Sequence, residues 1–203
     1  MNLYYNEGPF PHIVAYNFYS DDQLKEVWAE LDFLTKEHKL LPPLQTASAV
    51  DLENKPMKNN MGLWLEESYK PHYISDIIRN TNHNLFNKDL LNYIEEKHWV
   101  FKYAKNSIKD TTLLSYYENT DYYKPHIDKS NITALIHLFK EPQKFSGGDL
   151  IFDEYNLRYK TENNRMILFP SVIIHSVEEC KMEQDLEKFS GNGRYCISKF
   201  LWG

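Results

Sequence analysis

The stretch YYKPHIDKS, Tyr122 to Ser130, sets a histidine and an aspartate two positions apart, just after a proline. On an extended strand, residues i and i+2 project to one face, so His126 and Asp128 can both reach a single ion. A chance His-x-Asp near a strand end is common, and the pair alone decides nothing. The chain around it is more informative. From Trp99 onward, WVFKYA, TTLLSYY, ITALIHLF, DLIF, LRYK, RMILF, VIIHSV and RYCISKFLW are short, β-branched or aromatic, and separated by polar or Gly-containing turns. That texture predicts an all-β sandwich or barrel for the second half.

The first half reads differently. FPHIVAYNFYSDDQLKEVWAELDFL begins as a strand and continues as a capped helix. Ser20 stands three residues before Gln23, a capping-box spacing, and Asp21 and Asp22 suit the positive end of the helix dipole. Leu24, Val27, Trp28, Leu31 and Leu34 then recur at helical spacing and give the helix one apolar face. Two short strand candidates, TASAV and MGLWLEE, flank DLENKPMKNN (Asp51 to Asn60), whose composition marks an exposed, mobile loop. A second helical region runs from Tyr73 to Tyr93, with a break near Asn87. Helices first and strands later predict an α+β fold, helices packed on one face of a largely antiparallel sheet system. No internal repeat, low-complexity tract or linker interrupts the chain. Residues 1–203 therefore read as a single domain, with helical support over 1–98 and a β core over 99–203.

Composition narrows the partners. With 203 residues, 42% hydrophobic and 15% aromatic, the chain can bury one sizeable core. A net charge of −6 with scattered Lys and Arg offers no broad basic face, so nucleic acid is not an expected partner. Cys180 and Cys196 are too few for a disulfide framework and lie at no metal-like spacing, which points to a reducing compartment. The first residues show no basic segment followed by an apolar run, and no stretch approaches the roughly 20 apolar residues of a membrane span. The expectation is a cytoplasmic protein without a membrane partner.

A third ligand for the ion comes from LFPSVIIHSV, where His175 interrupts an apolar strand. Alone, such a histidine is more often a hydrogen-bonded core residue. With His126 and Asp128 it completes a set of two histidines and one carboxylate. That is the facial arrangement of non-haem Fe(II) oxygenases, which leaves positions open for a cosubstrate and dioxygen. A carboxylate in the set favours hydroxylation over halogenation.

Five segments follow in order from Leu113 to Trp202: Tyr117 in LLSYYENTDYY, then KPHID, SGGDLIF, RMILFPSVIIHSV and GRYCISKFLW. In that order the second half resembles a Fe(II)/2-oxoglutarate-dependent oxygenase of the prolyl 4-hydroxylase type. The opening PFP and YNFYSDDQLKEVWAEL are also similar to the family, with less distinctive motifs. The resemblance implies a double-stranded β-helix (jelly-roll) core in the C-terminal half, supported by N-terminal helices. It implies His126, Asp128 and His175 as iron ligands, and Arg194 as the side chain that grips the far carboxylate of 2-oxoglutarate. A guanidinium offers a planar two-pronged match to a carboxylate. Tyr117 matches a tyrosine that hydrogen-bonds the same cosubstrate, with Tyr116 the alternative if the register slips. His137 is either a second donor to it or a core histidine. Two departures stand out. Arginine replaces the lysine of many prolyl 4-hydroxylases, and EECKMEQDLEKFSGN lengthens the interval between His175 and Arg194, leaving Lys181 and Lys188 as rival anchors. Tyr123 matches a position that helps cradle the substrate in such relatives, and Phe200 replaces what is often a tryptophan there. Trp64 stands just after the Asp51–Asn60 loop, which either folds over a bound peptide or is an ordinary exposed loop. His12, His38, His72, His83 and His98 fall outside the pattern and read as structural or surface residues.

The activity implied is that of a dioxygenase using Fe(II), 2-oxoglutarate and O2, with ascorbate as reductant. It would hydroxylate proline in a peptide or protein and release succinate and CO2. A free amino acid or other small metabolite is the alternative substrate. A nucleobase ranks lower, given the acidic total and the missing second arginine near Arg194. From another class, a non-catalytic metal-binding β-barrel module would bind metal without consuming 2-oxoglutarate.

Overall fold

The computed structural model describes residues 1–183 and 186–203. The chain opens with strands β1 (Asn2–Asn6) and β2 (His12–Tyr16), helix α1 (Asp21–Lys36), strand β3 (Met61–Trp64) and the short helix α2 (Leu65–Ser68). Helices α3 (Asp76–Leu85), α4 (Lys88–Lys97) and α5 (Lys102–Lys105) follow. The remainder is β4 (Lys109–Tyr117), β5 (Tyr123–His126), β6 (Ile132–Leu138), β7 (Phe145–Ser146), β8 (Leu150–Phe152), β9 (Leu157–Tyr159), β10 (Arg165–Pro170), β11 (His175–Val177), β12 (Lys181–Met182) and β13 (Arg194–Trp202).

The strands form a seven-stranded sheet in the order β1-β2-β10-β6-β13-β4-β3, a four-stranded sheet in the order β5-β11-β8-β9, and the small pair β12-β7. Neighbouring strands are antiparallel throughout. Alternation along the central strands explains the layers. In β6, Ala134, Ile136 and Leu138 join Val27, Leu31 and Leu34 of α1 in a core on the helical side. Leu135 belongs to a second core with Phe152, Phe169 and Val177, between the two sheets. Both faces of β6 are buried, so it reads as a largely apolar run, broken only by Thr133 and His137, rather than as an apolar–polar alternation. This is the α+β jelly-roll arrangement expected from the sequence.

Several local readings hold. Ser20 Oγ accepts from Gln23 N, and Gln23 Oε1 accepts from Ser20 N at 2.9 Å, which closes the capping box of α1. The break between α3 and α4 falls at Asn87, whose Oδ1 caps α4 by accepting from Asp89 N at 2.9 Å. Other readings change. WVFKYA is not a strand but a tight turn of helix followed by α5, because Val100, Phe101 and Ala104 pack into the helical core. TASAV forms no strand either. Thr46 closes the short turn begun at Pro43, and Val50 makes only an isolated bridge to Pro56. The Asp51–Asn60 stretch is exposed at its tip, but Lys58 and Asn60 are buried. Its base is tied to β5: Asn59 N donates to Tyr122 O at 3.1 Å and Lys124 N donates to Met57 O at 2.9 Å.

One clasp joins the front of α1 to the sheet. Asn164, in left-handed backbone (φ 54°), accepts from Tyr19 N and donates to Tyr19 O, both at 2.8 Å. Replacing it strands two buried backbone groups, each costing roughly 1–3 kcal/mol. Asn164→Ala is expected to lower stability by about 2–4 kcal/mol in urea unfolding at pH 7. A loss under about 0.5 kcal/mol would mean that water takes over both bonds.

Candidate metal centre and adjoining pocket

His126 ends β5, Asp128 follows it, and His175 opens β11 directly opposite, with His175 and His126 as Cα partners. One ligand atom from each of the three residues lies within 4.8 Å of the other two. His126 Nε2 is 3.8 Å from Asp128 Oδ1, and His175 Nε2 is 3.5 Å from Asp128 Oδ2. Both rings are held by their other nitrogen. Nδ1 of His126 donates to Lys124 O at 2.8 Å and Nδ1 of His175 to Ile173 O at 2.9 Å, which leaves both Nε2 lone pairs for a metal. Thr133 Oγ1 donates to Asp128 Oδ2 at 2.7 Å and also meets Ser171 Oγ at 2.8 Å, so the carboxylate is fixed as well. Burial, then the neighbouring His175, pushes His126 down to about 3, so it stays in the neutral form a metal requires.

The pairing of β5 with β11 has a bulge. His175 faces His126, but Val177 faces Tyr123, so the four residues Tyr123–His126 on β5 oppose the three residues His175–Val177 on β11. The extra residue turns the Tyr123 ring onto the wall beside His126, stacked at 3.5 Å and 13°. The Tyr123 hydroxyl accepts from Ala49 N at 3.1 Å. A cavity of about 640 Å³ opens over this wall. It is lined by His126, Asp128 and His175 together with Tyr117, Tyr123, Phe200 and Trp64, so seven of the nine residues singled out from sequence share it. Trp64 and Phe200 lie 5.8 Å apart.

The other two residues, Arg194 and His137, lie off its wall. Arg194 is fully buried, its Cζ 4.8 Å from the Tyr117 ring centroid, in register with Tyr117 across β4 and β13. Its Nε, Nη1 and Nη2 all lack a hydrogen-bond partner among the described residues, as do both ring nitrogens of fully buried His137. A buried, unpaired guanidinium is costly unless an anion completes it. The site is built to admit it. A Cβ on Gly148 (φ 72°) would lie 2.7 Å from Arg194 Cδ and 2.8 Å from Cys180 Sγ. Tyr116 faces the helical core, its hydroxyl bonded to Glu118 at 2.9 Å, while Lys181 and Lys188 are exposed. Three oriented nitrogen and oxygen ligands share a cavity with Tyr117, over whose ring the orphaned guanidinium lies, and this set of groups fits a divalent iron and a dicarboxylate.

Lys58, Thr133 and the Ala47–Val50 segment escaped the sequence reading. Thr133 had a signal. It shares strand parity with His137 in ITALIHLF, and two polar residues on one face of an apolar run mark that face as the site side. Lys58 had none, since its burial depends on the distant pairing with β5.

Residues 112–202 match the model of the 2OG-Fe(II) oxygenase superfamily. The match covers the β core, and the fold of the whole chain is similar to that of prolyl 4-hydroxylases. A Pseudomonas putida prolyl-4-hydroxylase shares the fold at 14% identity and TM-score 0.59, over 94% of this chain and 91% of that one. The viral collagen prolyl hydroxylase of Paramecium Bursaria Chlorella virus-1 is similar at 15% identity and TM-score 0.50, over 94% of both chains. A non-heme α-ketoglutarate-dependent epimerase of nogalamycin biosynthesis aligns at 10% identity and TM-score 0.54, over 93% of this chain and 76% of that one. No curated protein sequence matches the chain. Among the described residues, no helix is long and apolar enough to cross a membrane.

Burial, then Arg194 and Arg165, holds His137 well below its ordinary value of 6.5. The folded protein keeps it neutral while the unfolded chain takes up a proton, so stability falls as pH drops below about 6.5, by up to about 1.4 kcal/mol per pH unit from this group. His137→Leu is expected to flatten the loss of stability between about pH 6.5 and 5, measured by urea unfolding of both proteins. Parallel curves would mean that His137 is protonated in the native state.

Proposed function

We propose that the chain is one catalytic domain over residues 1–203, an Fe(II)- and 2-oxoglutarate-dependent dioxygenase that hydroxylates proline in a peptide or protein. His126, Asp128 and His175 would hold the iron. Arg194 would take the far carboxylate of 2-oxoglutarate, with Tyr117 and His137 as further donors. The observation that carries this reading is the buried Arg194 guanidinium, unpaired and lying over Tyr117, close to a ready two-histidine, one-carboxylate set. Bound iron would let O2 oxidise 2-oxoglutarate to succinate and CO2 and a substrate C–H bond to C–OH, with one oxygen atom going to each, and ascorbate would keep the iron reduced.

The protein's own part is orientation and exclusion of water. The backbone carbonyls of Lys124 and Ile173 aim the histidines, and Thr133 aims the carboxylate. Leu135, Val177 and Cys196 give the cavity an apolar floor. Tyr123, Trp64 and Phe200 offer rings against which a proline in an extended peptide can lie.

Succinate release from 2-oxoglutarate with Fe(II), ascorbate and air is expected to rise at least about tenfold with proline-containing substrate. His175→Ala should abolish it without loss of fold. No succinate from iron-loaded wild-type protein would leave a metal-binding module without turnover. Arg194→Ala is expected to raise the KM for 2-oxoglutarate by about 10- to 100-fold, the loss of a charged hydrogen-bonded pair worth roughly 1.5–3 kcal/mol. Gly148→Ala should shift it in the same direction by displacing the guanidinium. If Lys181→Ala has this effect and Arg194→Ala does not, the anchor is misassigned.

A further inference from the structure

Lys58 is a second buried cation at the site. It is 2% exposed, and an antiparallel bridge to Tyr123 fixes its backbone. Its side chain crosses the Tyr123 ring, with Nζ 5.6 Å from the centroid, and lines the cavity alongside His126, Asp128 and His175. An ammonium has three donors. Lys58 uses one, to Thr46 O at 3.0 Å, and no carboxylate of the described residues forms an ion pair with it. Burial pushes its titration down to about 8, and Asp128 is the charge that opposes the shift.

Asp128 is a poor permanent counterion for Lys58. A metal at the three-residue set takes up that carboxylate's charge and adds positive charge of its own, leaving the ammonium less balanced than before. Arg194, lying over Tyr117, answers one carboxylate of the cosubstrate, and the metal answers the other end. Lys58, lying over Tyr123 among the rings assigned above to substrate, is left without an anion. A buried charge in that position is stabilised most simply by a carboxylate arriving with the substrate.

We infer that Lys58 recognises a carboxylate on the substrate, so that the accepted proline carries a free carboxylate next to its ring, as a C-terminal prolyl residue or the free amino acid does. This rests on the oxygenase reading and narrows it. An internal proline in a long peptide has an amide where Lys58 presents a charge.

Binding without turnover tests it. Wild-type protein loaded with Mn(II) and 2-oxoglutarate under nitrogen is titrated with N-acetyl-L-proline, N-acetyl-L-prolinamide and L-proline by calorimetry. The acetylated acid should bind at least about tenfold more tightly than the amide, as expected for one charge-assisted contact. Lys58→Met should erase that ratio, and Lys58→Arg should keep most of it. L-proline binding more tightly than the acetylated acid assigns the free amino acid, and the reverse order assigns a chain end. Equal binding of acid and amide by wild-type protein overturns the inference, and this comparison needs no folded variant. So does a Lys58→Met protein that keeps the ratio, or one that loses 2-oxoglutarate affinity instead. Failure of the Mn(II)-loaded wild type to bind 2-oxoglutarate removes the oxygenase reading and this inference with it. Normal 2-oxoglutarate binding without acid preference removes this inference alone.

Discussion

The antiparallel pairing of β5 with β11 is the constraint on which the site depends. Neither strand carries three ligands, and β11 spans only His175–Val177. The register that sets His175 against His126 brings the two rings to 4.3 Å and puts Asp128 within reach of both. A slip of one residue would send His175 to the opposite face, away from Asp128 and out of its packing against Phe152 and Phe169. Those rings oppose the slip. Phe169 packs edge-on to His175 at 5.0 Å and edge-on to Phe152 at 5.0 Å, so the apolar core between the sheets and the position of the histidine are set together.

The same core carries an unusual load of polar groups. Arg194, His137 and Lys58 are all nearly or fully inaccessible, and none has a full set of partners. Each costs stability in the absence of ligand. The offset comes from the two apolar clusters on either face of the large sheet, which bury the long side chains of β6, β10 and β13 on both sides. Elsewhere the protein satisfies its buried charges. Lys199 on β13 is fully buried too, but it is paired with Asp110 and lies 3.6 Å from Glu66 and 3.0 Å from Thr112 Oγ1. That contrast separates a structural buried lysine from one held open for a ligand.

Much of this was legible from local pattern. The Ser20–Gln23 capping box and the Asn87 break each act over a few residues, and both appear where the spacing placed them, as do most of the strand candidates after Lys109. WVFKYA and TASAV were misread for one common reason. Their β-branched and aromatic content matches a strand, but they lack a partner strand and are shaped by what they pack on or by the adjacent prolines. His126, Asp128 and His175 could be found because ligand chemistry restricts residue type and because their order along the chain is distinctive. Lys58 could not be found, because a lysine in a polar stretch looks the same whether its backbone pairs with β5 or faces water.

An insertion ahead of a strand can move its register, and the interval between His175 and Arg194 is long. Here the register is pinned from the far side. Tyr116, next to Tyr117 on β4, uses its hydroxyl to accept from Gly191 N and Gly193 N, both at 3.1 Å, and to donate to Glu118. Glu118 also accepts from Phe189 N at 2.7 Å. Gly193 passes so close that a Cβ there would meet Tyr117 O at 2.2 Å, so only glycine lets β13 begin at this point. At the other end, Cys180 N donates to Asp121 O and Cys180 O accepts from Thr120 N, both at 2.8 Å. Both ends of the insertion are thus tied to the segment that runs from Tyr116 to Asp121. Its length can vary without moving Arg194 from its place over Tyr117, because that pairing is decided by the last three residues before β13 and not by the chain that precedes them.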